Sequence, residues 1–127
     1  MEFKEIPEEY YGWWQIMEMP QWVDIDLIGT PLISFTGDDD RLRVCALLAH
    51  VTCLPTDTGL SFTWHGAWEY DQLSGLGSVE LNDDGTLSGI FKINNGDQSS
   101  FLAKRTKAPS EPIPDPPSYQ DKWQRRW

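Results

Sequence analysis

Turn-forming residues interrupt this chain at short intervals, and no segment between them carries the apolar spacing of a long helix. The clusters are Gly37-Asp38-Asp39-Asp40, Pro55-Thr56-Asp57-Thr58-Gly59, Asp83-Asp84-Gly85 and Asn94-Asn95-Gly96-Asp97. Gly, Asn and Asp tolerate positive φ and Pro presets a turn, so each cluster reverses the chain. The runs between them are rich in β-branched and aromatic residues, which suit a pleated, half-buried surface. This alternation predicts an all-β protein built as an antiparallel meander.

Strands are expected near Trp13–Met19, Leu32–Phe35, Arg41–Cys53, Leu60–Gly66, Gly75–Leu81, Thr86–Ile93 and Ser99–Arg105. About seven strands in a meander make a small closed or partly open barrel of the lipocalin or avidin kind. Leu60, Phe62 and Trp64 alternate with Ser61 and Thr63, which puts the large side chains on one face. Leu87, Phe91 and Ile93 form a second inward face, where Gly89 signals a bulge or a tight bend. Within Arg41–Cys53 the apolar parity changes near Val44–Cys45, which a bulge would reconcile. Asn82-Asp83-Asp84-Gly85 is the strongest hairpin signal. Trp22–Gly29 reads either as a short helix capping the barrel or as an irregular strand, with one helical turn the favoured reading.

The barrel domain is expected to span 1–108. Beyond it, Pro109, Pro112, Pro114, Pro116 and Pro117 supply five of the nine prolines, so 109–117 reads as an extended, semi-rigid linker. In 118–127, Tyr119, Trp123 and Trp127 recur every four residues, with Ser118 as N-cap, Asp121 in the capping-box place and Lys122, Arg125 and Arg126 toward the C-terminal end. The pattern predicts a short amphipathic helix whose aromatic stripe must dock on the parent barrel, a second copy or another protein.

Charge is divided unevenly. Residues 1–103 carry four basic against seventeen acidic side chains, a net −13, and the remainder carries six against three, a net +3. So acidic a body repels phosphate backbones, which disfavours nucleic-acid binding; a basic protein partner, or plain solubility, fits better. No run approaches the roughly 20 apolar residues of a membrane-spanning helix, and the acidic start lacks the basic-then-apolar order of a signal peptide, so no membrane role and a cytoplasmic location are expected. Cys45 and Cys53 read as reduced, buried thiols. A disulfide between them along one strand is out of reach, since eight extended residues span roughly 26 Å and bridged Cα atoms lie about 5.5 Å apart.

Two blocks are candidate sites. Trp64, His65, Trp68, Glu69, Asp71 and Ser74 gather an imidazole, carboxylates and indoles at an expected strand-to-loop junction. Carboxylate–imidazole pairs perform acid–base chemistry when burial tunes them, but the favoured reading of Glu69, Asp71 and Ser74 is as turn formers that bond local backbone donors. The second block, Asp97 and Ser99 with Arg105, meets the first if the loops cluster at one mouth, where Asp97 and Arg105 would form an ion pair or a ligand contact; its plain reading is a hairpin loop. Acidic runs at Asp24/Asp26, Asp38–Asp40 and Asp83/Asp84 lack the EF-hand order and read as solvated turns. No phosphate loop, nucleophile elbow or zinc-protease motif is present, and no metal or cofactor is expected.

Three stretches, Gly12-Trp-Trp-Gln-Ile-Met-Glu-Met19, Phe62-Thr-Trp-His-Gly-Ala-Trp-Glu-Tyr-Asp71 with Ser74-Gly-Leu-Gly77, and Leu87-Ser-Gly-Ile-Phe91 with Gly96-Asp-Gln-Ser-Ser-Phe-Leu-Ala-Lys-Arg105, give the chain its family likeness. They resemble a family of small uncharacterised bacterial proteins over residues 12–105, with Val44-Cys45 and Ala49 where a Gly-punctuated aromatic strand is expected. The resemblance implies no activity. The sequence therefore favours a non-enzymatic protein-binding module of accessory, inhibitor or immunity type. Its acidic barrel and aromatic tail (Tyr119, Trp123, Trp127) would engage a basic protein or a second copy in a homo-oligomer. The alternatives are a small-ligand barrel using Trp64 and Trp68, and an enzyme using His65 with Glu69 or Asp71.

Overall fold

The computed structural model describes residues 6–117. These residues form eight strands and no helix: β1 (Gly12–Glu18), β2 (Leu32–Phe35), β3 (Asp40–Val44), β4 (Leu47–Pro55), β5 (Leu60–Trp68), β6 (Asp71–Leu81), β7 (Leu87–Ile93) and β8 (Gln98–Thr106). Each strand pairs antiparallel with the next, and β1 also pairs with β8, so the meander closes into a barrel.

The eighth strand appears because Arg41–Cys53 is folded on itself. Val44 pairs with Leu47, leaving Cys45 and Ala46 as a two-residue turn with Cys45 at φ 54°. The change of parity marks this turn and not a bulge. Cysteine rarely adopts positive φ. Here its amide donates to the Ile25 carbonyl at 2.8 Å and its side chain is buried, which holds the turn from outside the hairpin. The expected loop after Gly66 is also strand: β5 and β6 pair from Leu60↔Val79 to Trp68↔Asp71, with only Glu69 and Tyr70 in the turn. The expected helical turn at Trp22–Gly29 is instead two successive turns, Leu27 N to Asp24 O at 3.1 Å and Gly29 N to Asp26 O at 3.3 Å.

Leu60, Phe62 and Trp64 are buried in the interior, as their alternation predicts. Gly89 makes no bulge, because Val79↔Gly89↔Phe101 stay in register across three strands. A Cβ at Gly89 would collide with the Phe101 ring, and one at Gly77 with the Phe62 ring. These glycines are therefore seats for aromatic rings on the neighbouring strand. An eight-stranded barrel is just wide enough for its own side chains to fill, and aromatic ones do so here: Trp64 stacks on Phe91 with centroids 4.9 Å apart, and Phe35 packs on Phe62 at 5.9 Å.

Both ends are closed. At the lower end Tyr10 is buried, accepting from the Leu81 amide at its hydroxyl (3.0 Å) and from Trp14 Nε1 at its carbonyl (3.0 Å). At the upper end the 19–31 loop lays Trp22 against Trp68 (5.9 Å) and Phe91 (5.8 Å), with Met19 in the core and Ile25 half-buried against it.

The Pro-rich segment is no free spacer. Ile113 is buried, and Arg41 on β3 donates to the Ile113 carbonyl (3.1 Å) and pairs with Asp115 (2.6 Å). Gln72 on β6 donates to the Pro117 carbonyl at 2.8 Å. Residues 113–117 thus cross the outer wall from β3 to β6 as a strap. The predicted helix at 118–127 lies outside the described residues.

One carboxylate organises the turn between β2 and β3. Asp40 is 4% exposed, not solvated, and accepts from Ser34 Oγ (2.9 Å), Thr36 N (2.8 Å), Thr36 Oγ1 (2.7 Å) and Gly37 N (2.8 Å). Truncating it leaves several donors without an acceptor where water reaches poorly. Asp40→Ala is expected to destabilise the fold by about 2–4 kcal/mol, read as a lower urea midpoint at unchanged slope, with Asp40→Asn losing less.

Candidate functional site

The two candidate blocks do share one end of the barrel. The Glu69–Tyr70 turn and the 94–97 turn both close the upper end, and Asn94 joins them, its amide donating to Ser74 O (2.9 Å) and its side-chain nitrogen to Ser74 Oγ (3.1 Å). Ser99 is buried there, accepting from the Gln21 amide (3.1 Å) and so tying the 19–31 loop to β8. Asp97 is exposed in its turn and receives the Ile93 amide at its backbone carbonyl (3.0 Å).

Arg105 is not part of this end. It stands at the far end of β8, roughly 26 Å of extended chain from Asp97, so the two cannot pair. Its guanidinium donates to Tyr11 O (2.8 Å) and Glu9 O (2.7 Å) and lies 4.4 Å from the Trp14 ring centroid, which fixes the N-terminal segment to the lower end. Trp64 is core, stacked on Phe91. His65 faces outward in mid-strand, while Asp71 has the opposite, inward parity on β6 and Glu69 sits in the turn at φ 58°. Strand parity thus separates His65 from Asp71. Trp68 is half-buried beneath Trp22. Tyr119, Trp123 and Trp127 lie outside the described residues.

What the upper end presents outward is mostly apolar and acidic, with one basic group, Arg43, whose Nε donates to the Thr30 carbonyl of the 19–31 loop at 2.9 Å. Trp22 and Ile25 turn inward, so the same loop must turn its other side chains out: Val23, Leu27 and Ile28 are 84%, 63% and 42% exposed. Asp24, Asp26, Glu69 and Asp97 on the surrounding turns, and Asp71 at the start of β6, are all exposed. An apolar centre with a polar rim is the anatomy of a protein-binding surface. Two surface depressions, about 630 Å³ beside Ile6, Pro7, Glu8 and Tyr11 and about 480 Å³ over β6–β8 between Glu18 and Glu80, lie on the outside of the wall.

Sequence reasoning overlooked this loop, because a helical turn was expected to use its apolar residues as a cap. It also overlooked Arg41, Gln72 and Ile113. A single isoleucine among five prolines was the available signal for docking, since an unpacked linker has no use for it. Comparison with protein-family models, with curated proteins and with solved structures finds no match.

Neither cysteine is set up as a nucleophile. Both are free, Cys45 buried and Cys53 half-buried. Burial, and then the Asp40 charge, push the Cys53 thiol up to about 11, and burial with Asp24 raises Cys45. The thiolate is the reactive form, so thiol labelling of the folded protein should stay slow through pH 9 and accelerate toward pH 11. In denaturant both should label near the ordinary thiol range. Because the folded value lies above the unfolded one, the associated stability is complete below pH 9 and declines as pH rises toward 11; urea midpoints across that window check the sign.

Proposed function

We propose that this protein is a non-enzymatic, cytoplasmic binding module that engages a basic protein through the upper end of its barrel. The observation that carries the reading is the 19–31 loop, which exposes Val23, Leu27 and Ile28 within a rim of Asp24, Asp26, Glu69, Asp71 and Asp97. Exposed side chains of this size are unfavourable in water and gain when a partner covers them, and the carboxylates accelerate and orient a positively charged one. The net charge of −10 supports the same partner sign. A module that holds a basic partner in this way is of the accessory, inhibitor or immunity type.

The filled interior argues against a guest of the lipocalin kind. Trp14, Phe35, Phe62, Trp64, Phe91 and Phe101 occupy the space that a ligand would need, and Tyr10 and Trp22 close the two ends. The strap carries the chain to Gln72 on the outer wall, from which residues 118–127, with their aromatic and basic side chains, supply a second contact or join two copies.

The experiment compares the full chain, a chain ending at Pro117 and a Val23→Asp/Leu27→Asp variant. Light scattering during size exclusion reads self-association, and capture from lysate reads other partners, each at about 50 and 500 mM salt. The expected result is an association that weakens with salt and is lost in the loop variant, whose melting temperature is unchanged, with partial loss on removing 118–127. Equal behaviour of all three proteins would retire the proposal.

A further inference from the structure

The outer wall carries a second constellation, independent of the upper end. His50 on β4 and His65 on β5 are direct cross-strand partners, with ring centroids 5.3 Å apart and ring planes inclined by 30°. Neither imidazole has a hydrogen-bond partner among the described residues. They stand in a transverse row, Arg41↔His50↔His65↔Ser74, across four paired strands, and the β4–β5 ladder runs unbroken from Leu47↔Trp68 to Pro55↔Leu60. The backbone beneath the two rings is therefore rigid, and the rings are already side by side.

We infer that His50 and His65 form a bidentate site for a divalent transition-metal ion of the imidazole-preferring class, Zn²⁺, Ni²⁺ or Cu²⁺. The geometry carries the inference. A tetrahedral ion bound at about 2.1 Å by one nitrogen of each ring sets the ring centroids roughly 5 Å apart, which is the separation the strands already impose. Direct cross-strand neighbours have Cβ atoms about 5 Å apart, so chelation asks for side-chain rotation and no movement of backbone. Imidazole selects these ions over Mg²⁺ and Ca²⁺, which demand oxygen.

The surroundings permit a cation. The nearest fixed positive charge, Arg41, is met by Asp39 at 3.0 Å and Asp115 at 2.6 Å, and the protein as a whole is strongly acidic. The flanking outward pairs, Thr52↔Thr63 and Leu48↔Ala67, bring no charge of their own. Among the described residues no group of three or more His, Cys, Asp or Glu could hold a metal ion, so the site has two protein ligands, and the strap from Arg41 to Gln72 crosses the same wall. Sequence spacing could not show it: fifteen residues separate the two histidines, and only the register of β4 on β5 makes them neighbours.

The test is a titration of the full-length protein with CuCl₂ and ZnCl₂, followed by calorimetry and, for Cu²⁺, by electron paramagnetic resonance. The wild type is expected to take up one ion per chain with two nitrogen donors in the Cu²⁺ spectrum. Uptake should weaken on acidification, because imidazole ligates only in its neutral form. His50→Ala and His65→Ala should each weaken binding about tenfold or more, since the second imidazole binds at the high effective concentration of an intramolecular ligand. The double variant should lose the nitrogen signature altogether. Circular dichroism of the variants should match the wild type, as both side chains sit on the outer wall. Uptake without two nitrogen donors, uptake that the double variant retains, or no saturable uptake would each overturn the inference.

Discussion

Aromatic rings seated on glycines shape this barrel. Phe62 lies over Gly77 and Phe101 over Gly89, each pair directly opposed on neighbouring strands. A side chain at either glycine would occupy the volume of the ring, and without the ring the glycine would leave a void in the wall. Each half of the pair is therefore tolerable only because of the other. The rings fill an interior whose width is set by eight strands, and the missing Cβ atoms let the wall approach them. Closure between β1 and β8, the plugs at each end and the outward parity of the candidate surfaces all follow from that filled centre.

Much of this architecture was legible because it is local. The alternation Leu60, Phe62, Trp64 and the hairpin chemistry of Asn82–Gly85 are properties of adjacent residues, and both appear as read. The Cys45–Ala46 turn was not legible, since neither residue favours positive φ, and the turn is held by the carbonyl of Ile25, twenty residues away. The same reason hid the length of the β5–β6 hairpin. Glu69 at φ 58° has no glycine or asparagine beside it to announce a turn, so its flanks read as loop. Where tertiary contacts stabilise a turn, residue chemistry gives no notice of it.

For the candidate surfaces the limit is similar. Trp68, Glu69, Asp71, Ser74, Asp97 and Ser99 were readable as one neighbourhood because a meander returns its turns to the same end. Arg105 was misplaced by the length of a whole strand, since nothing in its immediate sequence reveals the carbonyls of Glu9 and Tyr11. Arg41 and Gln72 hold Ile113 and Pro117 of a strap whose composition describes a spacer. His50 and His65 become neighbours only through register, which sequence specifies by the sum of many inward-facing side chains and not by any one of them.

The pairing of β1 with β8 bears on how the chain is assembled. Hairpins between consecutive strands can form as soon as each is available, but β1 finds its second partner some ninety residues later in sequence. Until then a curled sheet of seven strands carries two open edges, β1 and β7, which are the parts of an unfinished barrel most apt to pair with a neighbouring chain. Arg105 acts at that seam. By grasping the carbonyls of Glu9 and Tyr11 while lying over Trp14, it latches the last strand to the segment before the first. The contact that joins the two ends of the meander is thus also the one that leaves the barrel without an unpaired strand edge.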